Sequence, residues 1–126
     1  MFFKGMFKKW IQQNHDGLPQ KAGMPQEHMN EIHGAWYDPS NPVVPMSGSL
    51  RDDLCADLSE WVGKTDLSIA IGTSLSGMAA DSIVHVPSSK FQHNGLGLGS
   101  VIIGIQRTTE DESSSLRIFA LIDEVF

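Results

Sequence analysis

Two aliphatic runs limit what this chain can fold into. "LSIAI" (Leu67–Ile71) and "VIIGIQ" (Val101–Gln106) carry no charge, and β-branched residues dominate the second. Continuous apolar runs suit strands buried on both faces, which is the situation of a parallel sheet between helices. Helical segments flank both runs. In "LRDDLCADLSEWVG", Leu50, Leu54, Leu58 and Trp61 share one face of an amphipathic helix, with Gly63 as its stop. A second helix is expected from about Ser76 to Val84, followed by a polar, glycine-rich loop, "PSSKFQHNGLGLGS". The expected fold class is therefore α/β, with a small parallel sheet flanked by helices.

The other elements are shorter. Residues 7–12, "FKKWIQ", read as a strand that closes into "QNHDGLP", where Gly17 and Pro19 mark a loop. "PQEHMNEIHG" (Pro25–Gly34) reads as a short helix, or equally as a loop entering a short strand. Asp38–Ser49 carries Pro39, Pro42 and Pro45 and belongs to no regular element. Thr108–Ser115 is a polar connector, and "LRIFALIDEVF" closes the chain as a short strand and a helical turn.

Composition narrows the partners. With 40% hydrophobic and 19% charged residues, the 126-residue chain is that of a globular protein, long enough for one domain over 1–126. A net charge of -6 argues against a nucleic-acid surface, and no apolar run reaches the roughly 20 residues of a membrane span. "MFFKGMFKKW" lacks the cleavage site and apolar core of a secretory signal. The single cysteine, Cys55, excludes an internal disulfide and any zinc site made of cysteine pairs, and fits a reducing, intracellular location.

The first aliphatic run ends in Gly72, Thr73 and Ser74. Ligands of open α/β sheets bind at the carboxyl ends of strands, where glycine admits a close approach and hydroxyls offer hydrogen bonds. Taken alone, the same residues also suit an ordinary helix start with Ser74 or Ser76 as cap.

In order, the chain carries "QNHDGL", "AG", "EIHG", "GSLR", "DLSIAIGTSL", "VIIGIQRT" and "LRIFALIDEV". This series resembles the sirtuins, NAD-dependent protein deacylases, from about Trp10 to Phe126. The resemblance implies a partial Rossmann-like domain, the C-terminal part of the catalytic domain, with NAD as cosubstrate. It implies that Gln13, Asn14 and Asp16 surround the nicotinamide and its ribose. His33 matches the catalytic base acting on the ribose hydroxyls, a role that suits an imidazole. Gly72, Thr73 and Ser74 match the loop on the phosphate and ribose side, and Gln106 matches the residue that holds the adenosine ribose. His15, His28, His85 and His93 carry no functional reading, Cys55 reads as inert, and Trp10, Trp36 and Trp61 read as packing residues.

The chain also departs from the sirtuin pattern. The first strand with its Gly-Ala-Gly loop, which cradles the pyrophosphate, has no counterpart; nor do the paired Cys-x-x-Cys motifs, so no zinc is expected. "DDLCADL" stands where the family has Phe-Gly-Glu, Gly104 where it usually has Asn, and Pro19 where many members have His. A sheet without that first strand has an open edge, for which a protein partner, self-association or a longer product is expected. The Phe2, Phe3, Met6 and Phe7 cluster would suit packing against such a partner, or equally the tail of a helix entering the first strand. The expected function is thus that of a divergent or truncated sirtuin-like protein with weak or absent NAD binding and little activity alone. The alternatives are a nucleotide-binding module without turnover and a structural subunit of a larger complex.

Overall fold

A computed structural model describes residues 5–126; Phe2 and Phe3 of the aromatic cluster lie outside them. The chain divides into two compact units, one running to Trp61 and the other Val62–Phe126.

In the first unit, β1 (Trp10–Ile11) pairs in parallel with β2 (Met29–Asn30), Trp10 opposite Met29. Between them lie the short helix α1 (Leu18–Lys21) and a 3-10 turn at Gln26–His28. The strand expected over 7–12 is thus only Trp10–Ile11. Pro25–Gly34 is no helix but the alternative, a turn entering a strand. Met29 to Ala35 are buried in unbroken succession, which one face of a surface helix cannot provide. Asn30 is fully buried, and its Nδ2 donates to Leu54 O at 2.8 Å and to Asp57 Oδ2 at 2.7 Å. Lys9 Nζ meets the other oxygen of Asp57 at 2.9 Å. This polar cluster ties β2 to the helix α2 (Asp52–Lys64), which begins with Asp52 and Asp53 at its positive end and continues past Gly63. Leu58 is buried on its inner face, with Leu54 and Trp61 half-buried, and Asp38–Ser49 has no regular structure, as expected.

The second unit is a three-stranded parallel sheet in the order β3 (Leu67–Ile71), β4 (Gly99–Ile103) and β5 (Leu116–Ile118). Leu67 pairs with Gly99 and Val101 with Leu116. The helix α3 (Ser82–Asn94) packs on the face of β3 and β4 that carries Ala70 and Ile102. With Leu75, Val84 and half-buried Ile83 these form the core of the unit, each large aliphatic side chain contributing about 1.5–3 kcal/mol by burial. Ser88 Oγ bonds Val84 O at 2.8 Å and Ser100 Oγ at 2.6 Å, so no polar atom of this pair is stranded beneath the helix.

Two elements differ from expectation in their bounds. The helix expected over 76–84 begins later, at Ser82 after a 3-10 turn (Ala79–Asp81), and continues through Pro87 to Asn94. Asp81 Oδ2 accepts the N–H groups of Gly77 and Met78, both at 2.8 Å, and so holds Gly77 and Met78 ahead of the helix. Pro87 does not break α3; it is buried there. β4 runs Gly99–Ile103 instead of Val101–Gln106, and carbonyls at and beyond its end are bonded by the Arg117 guanidinium. Its Nη1 donates to Ile102 O at 3.2 Å, Gly104 O at 3.0 Å and Ile118 O at 2.7 Å, and its Nη2 donates to Gln106 O.

Candidate functional site

In the first unit two loops are fastened together. One follows β1 and contains Gln13, Asn14, His15 and Asp16; the other follows β2 and contains Glu31, His33, Gly34, Trp36 and Tyr37. His15 Nδ1 donates to Gly34 O at 2.8 Å, and Trp36 N–H donates to His15 O at 3.0 Å. The two rings, His15 and Trp36, lie 5.9 Å apart at 50°. Asp16 Oδ1 accepts Leu18 N–H at 3.1 Å and so shapes the start of α1. Gly34 has φ +86°, and a Cβ there would lie 2.2 Å from Pro42 O and 2.7 Å from Val43 Cα, so only glycine fits. The second loop is further pinned by Val44 N–H to His33 O at 3.0 Å and Asn41 Nδ2 to Glu31 O at 3.0 Å.

Glu31 is the electrostatic centre of this region. It is 2% exposed, and Tyr37 Oη donates to it with contacts of 2.8 and 2.7 Å to Oε1 and Oε2. Gln26 Nε2 donates to Oε2 at 3.1 Å, and Gln20 Nε2 bonds both Gln26 Oε1, at 3.0 Å, and the Tyr37 hydroxyl. Burial, followed by the bond to the Glu31 carboxylate, pushes the Tyr37 phenol up from 10.0 to about 12. The Tyr37 ring also lies against Gly17, where a Cβ would meet it at 2.8 Å. His33 is buried, at 7% exposure, whereas Asn14 is exposed and Gln13 and Asp16 are half-buried.

In the second unit the turn after β3 is strained. Gly72 has φ +62° and Leu75 φ 49°, a region that a branched side chain rarely enters. The strain has an identifiable source: Leu75 is 3% exposed in the core, while its neighbours Ser74 and Ser76 face solvent. Thr73 Oγ1 accepts Leu75 N–H at 3.3 Å and Thr109 Oγ1 donates to Leu75 O at 2.8 Å, which holds the turn. Residues in such conformations persist only where their surroundings over-determine them, and they cluster at ligand sites. Gly72 N–H reaches Ile103 O at 2.9 Å, so the turns after β3 and β4 are neighbours. Beside them Gln106 is exposed, its backbone carbonyl held by Arg117. Arg117 itself is fixed by Asp111 Oδ1 at 2.7 Å from Nε and by the Phe119 ring, 3.9 Å from the guanidinium carbon.

Half of the residues singled out in the sequence thus fall in each unit. Gln13, Asn14 and Asp16 share one loop, fastened to the segment of His33; Gly72, Thr73 and Ser74 share a strained turn at the carboxyl end of β3, next to the loop of Gln106. The sequence reading did not single out Glu31, Tyr37, His15 or Arg117. Trp36, read as a packing residue, is 76% exposed. Among the described residues, no group of three His, Cys, Asp or Glu side chains could hold a metal ion.

The fold recurs in solved structures. The fold is similar over 98% of the chain to Sir2Tm bound to a propionylated peptide, with TM-score 0.80, 19% identity and 63% of that chain covered. A Sir2 complex with a p53 peptide and NAD+ gives TM-score 0.79 at 19% identity, over 98% of this chain and 62% of that one. A Sir2 complex with the inhibitor EX-527, 2'-O-acetyl-ADP-ribose and a deacetylated p53 peptide gives 0.82 at 19%, over 98% and 64%. This is the sirtuin fold. The part of it present is the C-terminal part, in line with the expected partial Rossmann-like α/β class, and the chain spans under two thirds of the length of these sirtuin structures. No protein-family model and no curated protein matches the sequence. Among the described residues no helix is long and apolar enough to cross a membrane.

Proposed function

We propose that this chain is a nucleotide-binding module derived from an NAD-dependent protein-lysine deacylase, which binds NAD or ADP-ribose weakly and does not turn over acyl-lysine substrate on its own. The observation that carries this reading is the strained Gly72–Leu75 turn at the carboxyl end of a parallel strand, with Ser74 exposed beside it. In the second unit the hydroxyls of Thr73 and Ser74 suit ribose or phosphate oxygens, and the Gln106 amide suits a ribose diol. In the first unit Gln13, Asn14 and Asp16 are the residues that the sirtuin resemblance assigns to the nicotinamide end. When bound, NAD supplies an electrophilic anomeric carbon; His33 is the base that the sirtuin likeness assigns.

Several observations support weak binding and little turnover. His33 is 7% exposed, and Gly104 supplies no side chain beside Gly72, although a Cβ there would meet nothing closer than 3.8 Å. Correct positioning can be worth roughly 7–11 kcal/mol of a barrier, so a partly built site loses most of the rate. The absence of zinc and an intracellular, reducing location belong to the same reading, both resting on the single cysteine. Titration of the chain with NAD, followed by backbone NMR, is expected to give millimolar affinity with shifts in 13–16 and 72–74. No shifts at any millimolar concentration, or turnover of an acetyl-lysine peptide that a His33→Ala control abolishes, would refute the proposal.

A second reading, an accessory subunit of a complex, is favoured by one feature. Gly72 N–H bonds Ile103 O and Gly99 N–H bonds Asp66 O, so in the parallel ladder the even-numbered residues of β3 face β4. The backbone groups of Leu67, Ile69 and Ile71 then point to the outer edge, where β3 pairs with no further strand among the described residues. Edges of this kind, uncharged and without proline, are normally covered, here by a partner strand or by self-association. Sedimentation of the chain as a strict monomer up to high concentration, with no partner co-purifying from its native source, would remove the support for this reading.

A further inference from the structure

The loop after β4 contains no carboxylate: Gly104, Ile105, Gln106 and Arg107 follow the strand. In doubly wound α/β folds an acidic side chain accepts the 2'-hydroxyl of an adenosine ribose, whereas an arginine nearby accommodates a 2'-phosphate. Gln106 is exposed, and its amide offers a donor that a carboxylate lacks. Arg107 is exposed as well, and it makes no hydrogen bond or ion pair among the described residues. The second arginine of the unit, Arg117, is fully engaged by Asp111 and by four backbone carbonyls. The carboxylates nearest to Arg107 in the chain are also occupied. Asp111 Oδ1 accepts Thr108 Oγ1 at 2.7 Å besides Arg117, and Glu110 accepts Ser113 Oγ at 2.7 Å and contacts His85 at 3.2 Å. Neither neutralises Arg107.

The loop that carries this arginine is held in place. Gly104 N–H donates to Ile118 O at 3.1 Å, and Arg117 holds the carbonyls of Gly104 and Gln106. Gly104 leaves open space beside the turn after β3, since a Cβ there would meet nothing closer than Gly72 at 3.8 Å. We infer that the site selects a nucleotide whose adenosine ribose carries a phosphate monoester, with Arg107 as the specificity-determining residue and the Gln106 amide as a second donor. The inference rests on the nucleotide-binding reading above. A phosphate monoester brings close to two negative charges and three acceptor oxygens, which the guanidinium fork matches with paired hydrogen bonds. A bare ribose diol occupies only the Gln106 amide and leaves Arg107 without a counter-charge.

The test uses the full chain and calorimetry with two probes, ADP-ribose and its 2'-phosphorylated counterpart, at fixed ionic strength. The phosphorylated probe is expected to bind about tenfold tighter, as hydrogen bonds to a charged group allow, and the margin should shrink as salt is added. Arg107→Ala should bring the two probes to equal affinity. Arg107→Lys should keep part of the margin, since it retains the charge but not the fork. Gln106→Glu should reverse the preference by setting a carboxylate against the phosphate. Lys21→Ala, which removes an exposed charge from the first unit, should keep the margin as it is. Equal affinity of the native chain for both probes, a margin that survives Arg107→Ala, or one that Lys21→Ala abolishes equally, overturns the inference and leaves the nucleotide reading standing. Absence of binding by either probe overturns both.

Discussion

Tyr37 is the sole tyrosine, so its ionisation can be read directly from absorbance near 295 nm. The perturbation is alkaline pH. Burial and the hydrogen bond to Glu31 raise the phenol from 10.0 to about 12, because ionisation would place a phenolate against a buried carboxylate. The folded value lies above the unfolded one, so the associated stability is full below about pH 10 and is lost as pH rises toward about 12. That displacement corresponds nominally to about 2.7 kcal/mol. Tyr37 is 49% exposed, however, and solvent screening reduces the usable part to about 1 kcal/mol. Titration of the native chain should therefore show a midpoint well above 10, and denaturant midpoints should fall between pH 10 and 12. In Glu31→Gln the absorbance midpoint should move back toward 10, the carboxylate having been replaced by a neutral amide. Tyr37→Phe should cost about 1–3 kcal/mol at neutral pH, since Glu31 stays buried with only the Gln26 donor remaining among the bonds described above. A native midpoint at 10, unchanged by Glu31→Gln, would refute the coupling.

Gly34→Ala should lower stability by about 3 kcal/mol or more, from the left-handed backbone and the Pro42 carbonyl in its way, whereas Gly104→Ala should stay within about 1 kcal/mol of the parent. Thermal melts of the two variants decide this, and equal losses would sink the argument. For Asp111, burial works against ionisation, but hydrogen bonds from Thr108 and Arg117 outweigh it and hold the carboxyl below its usual 3.8. Its contribution is therefore present above pH 3.8 and lost as pH falls through the lower folded value, so Asp111→Asn should flatten the acid limb of melting temperature against pH; an unaltered limb counts against it.

The fold was legible where one signal dominated. The apolar face of Leu54, Leu58 and Trp61 gave α2, and the two uncharged aliphatic runs gave β3 and β4; β4 is buried on both faces, whereas Leu67 and Ile71 of β3 are exposed. It was illegible where tertiary contacts overrode local rules. Pro87 lies within α3, a placement that the sequence alone argues against, and the helix start is displaced by the Asp81 carboxylate serving Gly77 and Met78. The end of β4 was out of reach for a similar reason. The carbonyls of Gly104 and Gln106 beyond it are held by Arg117, which follows β4 by a whole connector and is the central residue of β5.

The candidate site divides along the same line. Backbone-determined features, such as the glycine and hydroxyl turn after β3, could be read from residue types, because small residues after an apolar run imply a close approach. Features made by pairing across loops could not. Glu31 and Tyr37 are six positions apart and look like an ordinary charge and an ordinary aromatic; only the fold brings the phenol to both carboxylate oxygens. His15 was passed over because a histidine between Asn14 and Asp16 has no local pattern to distinguish it. What distinguishes it is the carbonyl of Gly34, nineteen positions away, which fixes its hydrogen on Nδ1. The glycine is needed there on independent grounds, since its Cβ would strike the Pro42 carbonyl. One backbone constraint thus sets both the path of the loop after His33 and its fastening to the loop of His15.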